Sequence, residues 1–151
     1  MNGPWETKSN ANLEVLFSIP LNVVNEVFFQ YSNNRLNPQN HDIRGLRSYK
    51  ISHIEQGRIG GNEWHKIRHE LVFTLNGAVS WTFKDASGEI KSLTSDETTG
   101  VWIPPCILHT YTSLANDTQL LVIANTTFDP NDPSTHDTFT MNTFPPHPTL
   151  S

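Results

Sequence analysis

Cysteine is almost absent: Cys106 stands alone in 151 residues, so no intramolecular disulfide framework supports the fold. Basic residues are scarce too. The chain carries 10 Lys and Arg against 15 Asp and Glu, a formal net charge of -5. Those few cations are scattered, which argues against a nucleic-acid or anionic-membrane surface. No apolar stretch approaches the roughly 20 residues of a membrane span. The first residues, MNGPWETKSN, lack the basic-then-apolar run of a secretory signal. The expectation is a cytoplasmic chain with a small-molecule partner and neither nucleic acid nor membrane. With 36% hydrophobic and 17% charged residues, it is neither disordered nor collagen-like and is long enough for one domain with its own core.

Long helical periodicity is also missing. Apolar residues mostly recur at every second position: Leu71, Phe73 and Leu75 on one face, then Val79, Trp81 and Phe83, then Leu120 and Val122. Period two marks half-buried strands. Runs near 12–18, 22–31, 46–55, 64–75, 78–84, 89–94, 99–104, 108–113 and 119–128 give roughly eight or nine strands, the number of a sandwich or barrel. The run at 21–31, LNVVNEVFFQY, fits a helix nearly as well as a strand. Asn76-Gly77 between two alternating runs predicts a hairpin, because both residues tolerate positive φ. The expected organisation is a polar leader over 1–12, a barrel over 13–128 and a Pro-rich tail over 129–151 packing on or near the barrel.

Histidines and carboxylates gather in one stretch. Glu63 and His65 stand two residues apart, which on a strand directs both to one face. His109 follows the Pro104-Pro105 corner, and an antiparallel barrel can bring such distant strand positions together around one small ligand. Trp102, just before that corner, is the tryptophan best placed to line a cavity. Cys106, with no base beside it, reads as a small core residue.

The spacing from Gly57 through Glu63, His65 and Glu70 to Gly77 resembles the first motif of the cupin superfamily, with Glu63 where the first histidine usually stands. Pro104 to His109 resembles the second motif, with Cys106 in place of its glycine and Ser113 in place of its closing asparagine. Within the superfamily the chain is most similar to the nucleotide-sugar 3,4-ketoisomerases, grouped with the WxcM-like proteins. The resemblance rests on Arg47-Ser-Tyr49, Glu63-Trp-His65-Lys66, Leu75-Asn-Gly77, Asp85-Ala-Ser-Gly88, Pro105-Cys-Ile-Leu-His109 and Phe128-Asp-Pro-Asn-Asp132, and covers about residues 44–139. It implies an all-β, single-domain cupin jelly-roll barrel, an isomerase without cofactor, and pairing into a homodimer. Both histidines of the family's His-x-His work on the sugar; His65 keeps that place, and Glu63 takes the other.

Moving a carbonyl to the neighbouring carbon passes through an enediol, which needs one group to remove a carbon-bound proton and another to return one. Glu63 and His65 are the candidate pair. Tyr49 and His109 are candidates to hydrogen-bond the enolate oxygen. Arg47, Lys66, Glu70 and Trp102 are candidate substrate contacts, with Arg47 suited to an acidic group. The substrate is expected to be a nucleotide-linked keto-deoxy sugar, or a secondary-metabolite intermediate that isomerises or cyclises by the same proton shuttle. Two alternatives stand beside this reading. His65, Glu70 and His109, with Glu63 or His69, form a donor set for a metal-dependent cupin. The barrel could also bind a ligand without turning it over.

Overall fold

The computed structural model describes residues 12–19 and 45–145; the expected strand at 22–31, most of the polar leader and the last residues of the tail lie outside them. Among the described residues ten strands form two five-stranded antiparallel sheets: β1 (Asn12–Ile19), β2 (Leu46–Ile54), β3 (Ile59–Trp64), β4 (Glu70–Asn76), β5 (Ala78–Lys84), β6 (Ile90–Asp96), β7 (Gly100–Ile103), β8 (Leu108–Ser113), β9 (Thr118–Ala124) and β10 (Phe139–Thr140). One sheet runs β1-β2-β9-β4-β7 and the other β10-β3-β8-β5-β6. This is the expected cupin jelly roll. No helix among the described residues is long and apolar enough to cross a membrane.

Two local expectations need correction. Asn76-Gly77 does not close a hairpin, because β4 pairs with β7 and β9 while β5 pairs with β6 and β8. The pair is a corner carrying the chain from one sheet to the other. Gly77 holds φ of 80°, and a β-carbon there would lie 2.5 Å from Thr118 Oγ1, so glycine serves both the backbone angle and the close approach. The expected strand at 64–75 is split into β3 and β4, since the chain leaves the second sheet after Trp64 and enters the first at Glu70.

Alternation then decides which side chains meet. The core is built by Tyr49, Ile54, Val72, Val79, Trp81, Val101, Ile103, Tyr111, Leu120 and Val122. On β4 the buried residues are Glu70, Val72 and Thr74, whereas Leu71 and Phe73 are half-buried and Leu75 exposed. The apolar alternation therefore marks the outer face of this strand, and the inner face carries the polar group. Cys106 is exposed rather than in the core. It holds φ of 61° at the position where the cupin pattern has glycine, a conformation that costs an L-residue roughly 1–2 kcal/mol.

Candidate active site

The site forms where one end of each sheet faces the other. Across the first sheet, Arg47 lies opposite Ala124, Ala124 opposite Glu70, and Glu70 opposite Ile103. Across the second, Glu63 lies opposite His109 and His109 opposite Phe83. Glu63 reaches this row through a β-bulge. The register shifts between Gly61 and Glu63, and Gly61 and Asn62 take φ of 76° and 59°. A bulge reverses the parity of the strand beyond it. Without the extra residue Glu63 would point out of the barrel. Gly61 also lies so close to β8 that a β-carbon would stand 2.8 Å from the His109 carbonyl oxygen.

Four side chains converge here. His65 Nε2 lies 3.6 Å from Glu70 Oε1 and 4.0 Å from Glu63 Oε1. His109 Nε2 lies 3.7 Å from Glu70 Oε2 and 3.9 Å from Glu63 Oε1. His65, His109 and Glu70 are buried, while Glu63 is 32% exposed and forms the open side of the cluster. Both imidazoles have their outer nitrogen committed to a carbonyl: His65 Nδ1 to the Asp137 oxygen at 2.6 Å and His109 Nδ1 to the Ile107 oxygen at 3.0 Å. A carbonyl oxygen only accepts, so each Nδ1 carries hydrogen. In the neutral forms, each Nε2 then presents a lone pair to carboxylate oxygens. His65 Nε2 is buried without a hydrogen-bond partner. The cluster is thus four acceptors meeting with no donor between them, which a proton, a substrate hydroxyl or a cation would relieve.

Glu70 is the charged anchor of the cluster. Its Oε1 accepts from Tyr49 Oη at 2.8 Å and Arg68 Nη1 at 3.3 Å. Burial by itself would raise its carboxyl pKa, but the positive charge of His65 in its protonated form, then Arg68 and His109, outweighs it and holds the group well below the usual carboxylate range. Burial, then the Glu70 charge, pushes the Tyr49 phenol well above its ordinary value. Tyr49 therefore stays protonated and gives its hydrogen to Glu70. Burial, then His65, lowers the His109 pKa, which favours the neutral ring. Arg47 is 1% exposed, and none of its three guanidinium nitrogens has a partner. It lies over the rings of Tyr49 and Phe128, at 5.4 and 5.6 Å. Burial, then the like charge of Arg68, lowers its pKa to about 10.

The structure brings together Glu63, His65, His109, Glu70 and Tyr49, and sets Arg47 on the same inner face. It does not bring in Lys66 or Trp102. The Lys66 ammonium lies 4.5 Å from the centre of the Phe139 ring on an exposed residue. Trp102 pairs with Leu71 on the outer face of β4, donates to His69 Nδ1 at 3.2 Å and is 45% exposed. His69, the neighbour of Glu70, faces that outer side too. Sequence reasoning missed Arg68 and Asp137. Arg68 completes the charge balance around Glu70, and Asp137 accepts from the amides of Lys66, Ile67 and Arg68.

The donor set also suits a divalent cation. Ligand atoms of Glu63, His65 and His109 all lie within 4.8 Å of one another. Each imidazole has its Nδ1 oriented by a carbonyl and its Nε2 facing the cluster, the arrangement common to metal-ligating histidines. Two imidazoles with carboxylates fit first-row metals.

Residues 35–142 match the family described as FdtA: WxcM-like, C-terminal. The chain belongs to this family. Among solved structures it is similar to the capsular polysaccharide assembling protein CapF from Staphylococcus aureus, at 23% identity and TM-score 0.55 over 68% of this chain and 31% of that one. It is similar to oxalate decarboxylase from Bacillus subtilis, at 22% identity and TM-score 0.55 over 64% of this chain and 24% of that one. A third is a double mutant of the QdtA 3,4-ketoisomerase from Thermoanaerobacterium thermosaccharolyticum in complex with TDP, at 26% identity and TM-score 0.51 over 62% of this chain and 64% of that one. The chain thus spans less than a third of CapF and about a quarter of oxalate decarboxylase. No curated protein matches it.

Proposed function

We propose that the chain is an isomerase or epimerase that enolises a carbonyl-bearing small molecule, with Glu63 and His65 as the acid/base pair. The supporting observation is the convergence of their Oε1 and Nε2 atoms at 4.0 Å beside a buried, ionised Glu70. One of the pair takes the proton from the carbon next to the carbonyl, and the electron pair moves to the carbonyl oxygen. The other returns a proton to the neighbouring carbon. The ionised Glu70 stabilises a protonated His65 at 3.6 Å, and neutral His109 accepts from a substrate hydroxyl. Tyr49 spends its proton on Glu70, so it positions that carboxylate rather than donating to the enolate. Arg47, whose guanidinium nitrogens have no hydrogen-bond partner, is a donor suited to the enolate oxygen or an acidic substituent. The substrate is a nucleotide-linked keto-deoxy sugar or a secondary-metabolite intermediate with the same carbonyl chemistry, bound by a cytoplasmic homodimer in which the described part of the tail, 129–145, packs on or near the barrel. Glu63→Ala and His65→Ala should each abolish turnover with the fold retained; wild-type rates in either variant would sink the assignment.

The four converging acceptors favour a second reading. A divalent cation held by Glu63, His65 and His109, with Glu70 beside them, would polarise a carbonyl oxygen as a Lewis acid. Metal analysis of the purified protein, with the exchange rate measured before and after chelation, separates the two. Stoichiometric metal and a chelator-sensitive rate support the cation; a chelator-insensitive rate supports the proton shuttle alone.

A further inference from the structure

We infer that Asp137 is a positioning residue that fixes the tautomer of His65, making the C-terminal segment part of the site. The inference rests on His65 being the group that handles the proton or the cation.

Asp137 is 7% exposed in a segment whose neighbours His136 and Thr138 are exposed. Its carboxylate accepts three successive amides of the β3–β4 connection: Lys66 N at 2.9 Å on Oδ1, then Ile67 N at 3.0 Å and Arg68 N at 2.9 Å on Oδ2. Buried amides need partners, and a carboxylate taking several of them makes strong charge-assisted bonds. With that connection held, the Asp137 carbonyl stands 2.6 Å from His65 Nδ1. One residue therefore orders the loop with its side chain and orients the ring with its backbone. Further contacts fasten the same segment to β3 and the loop. Phe139 and Thr140 pair with Trp64 and Glu63, Trp64 Nε1 donates to Thr143 Oγ1 at 3.1 Å, and Arg68 Nη2 donates to Thr138 Oγ1 at 3.2 Å.

The two histidines differ in what orients them. His109 Nδ1 bonds the Ile107 carbonyl two residues back in its own segment. The acceptor for His65 lies 72 residues away in sequence. An unconstrained neutral histidine prefers hydrogen on Nε2. Losing the Asp137 carboxylate would free the 66–68 loop and let His65 take that form, placing hydrogen where the site needs a lone pair.

Histidine tautomers are read directly by long-range proton–nitrogen correlation on the full chain labelled with 15N-histidine, at a pH where the rings are neutral. The wild type should show hydrogen on Nδ1 of both His65 and His109. In Asp137→Ala, His65 should become a mixture dominated by the Nε2–H form while His109 stays unchanged. Asp137→Asn, which keeps one acceptor oxygen, should fall between and serves if the alanine variant does not fold. His65 with hydrogen on Nε2 in the wild type, His65 unchanged in the folded variants, or both rings shifting together would overturn the proposal. The readout needs no substrate, so a failed turnover assay sinks the proposed reaction without touching this result.

Discussion

Replacing Glu70 by glutamine tests the electrostatic logic of the site. The change keeps the shape and one acceptor oxygen for Tyr49, whose hydroxyl stands 2.8 Å away. It removes the charge facing Arg68, 3.3 Å away and itself 3% exposed. Breaking a buried ion pair from one side costs about 3–5 kcal/mol, because the remaining charge is left without compensation. Retention of the Tyr49 bond puts the expectation at the lower end, about 3 kcal/mol. For a domain of this size that is a fall in melting temperature on the order of 10 °C. The second arm is Glu70→Gln/Arg68→Met, which removes the orphaned charge; the double variant should recover most of the loss, giving a coupling energy on the order of 2 kcal/mol. The pH dependence follows in sign. The folded pKa of Glu70 is depressed, so its contribution is present above the unfolded value of about 4.3 and is lost as pH falls through the folded one. Wild type and Glu70→Gln should therefore converge in acid. Melting curves across pH measure all three. Losses in the double variant equal to the sum of the two single ones, or a Glu70→Gln variant as stable as wild type near neutrality, would refute the ion-pair account.

Three further outcomes follow from particular contacts. Gly60→Ala should lower stability by about 1–3 kcal/mol, because its β-carbon would lie 2.2 Å from Tyr111 Cζ in a ring buried against Trp81; a denaturant titration checks it. Cys106→Gly should stabilise by roughly 0.5–1 kcal/mol in the same assay, since glycine takes φ of 61° without strain. Trp102→Ala should cost about 1–2 kcal/mol through the lost bond to His69 while leaving the proton-exchange rate at its wild-type value, in keeping with its place on the outer face.

The barrel was legible because alternation and the Gly57-to-Gly77 spacing survive translation into strands with few exceptions. The exceptions have physical causes. Asn76-Gly77 allows positive φ, and a sheet-to-sheet corner needs that as much as a hairpin does. Period two is silent about the break at 65–69, where the turn's amides are satisfied by Asp137 from the far end of the chain. The convergence of Glu63, His65, His109 and Glu70 was legible from motif spacing, and that of Tyr49 from the Arg47-Ser-Tyr49 likeness. Lys66 and Trp102 were drawn in by adjacency, yet the chain turns at Lys66, and Trp102 alternates away from the buried Ile103. Arg68 reads from the sequence only as a neighbour for a solvated pair with Glu70, and Asp137 carries no local signal. A charged residue in a loop and an aspartate in a Pro-rich tail acquire meaning only when the fold sets them beside Glu70 and His65. The bulge at Gly61-Asn62 was hinted at by two residues tolerant of positive φ just before Glu63.

The account's central claim is that Glu63 and His65 move a proton at carbon. The most direct measurement incubates the chelator-treated chain with a nucleotide-linked keto-deoxy sugar in deuterated water and follows the carbon next to the carbonyl by NMR. The account predicts deuterium at that carbon with the wild type and none above background with Glu63→Gln or His65→Gln. Binding of the sugar without deuterium incorporation, or incorporation at the wild-type rate in either variant, would contradict it.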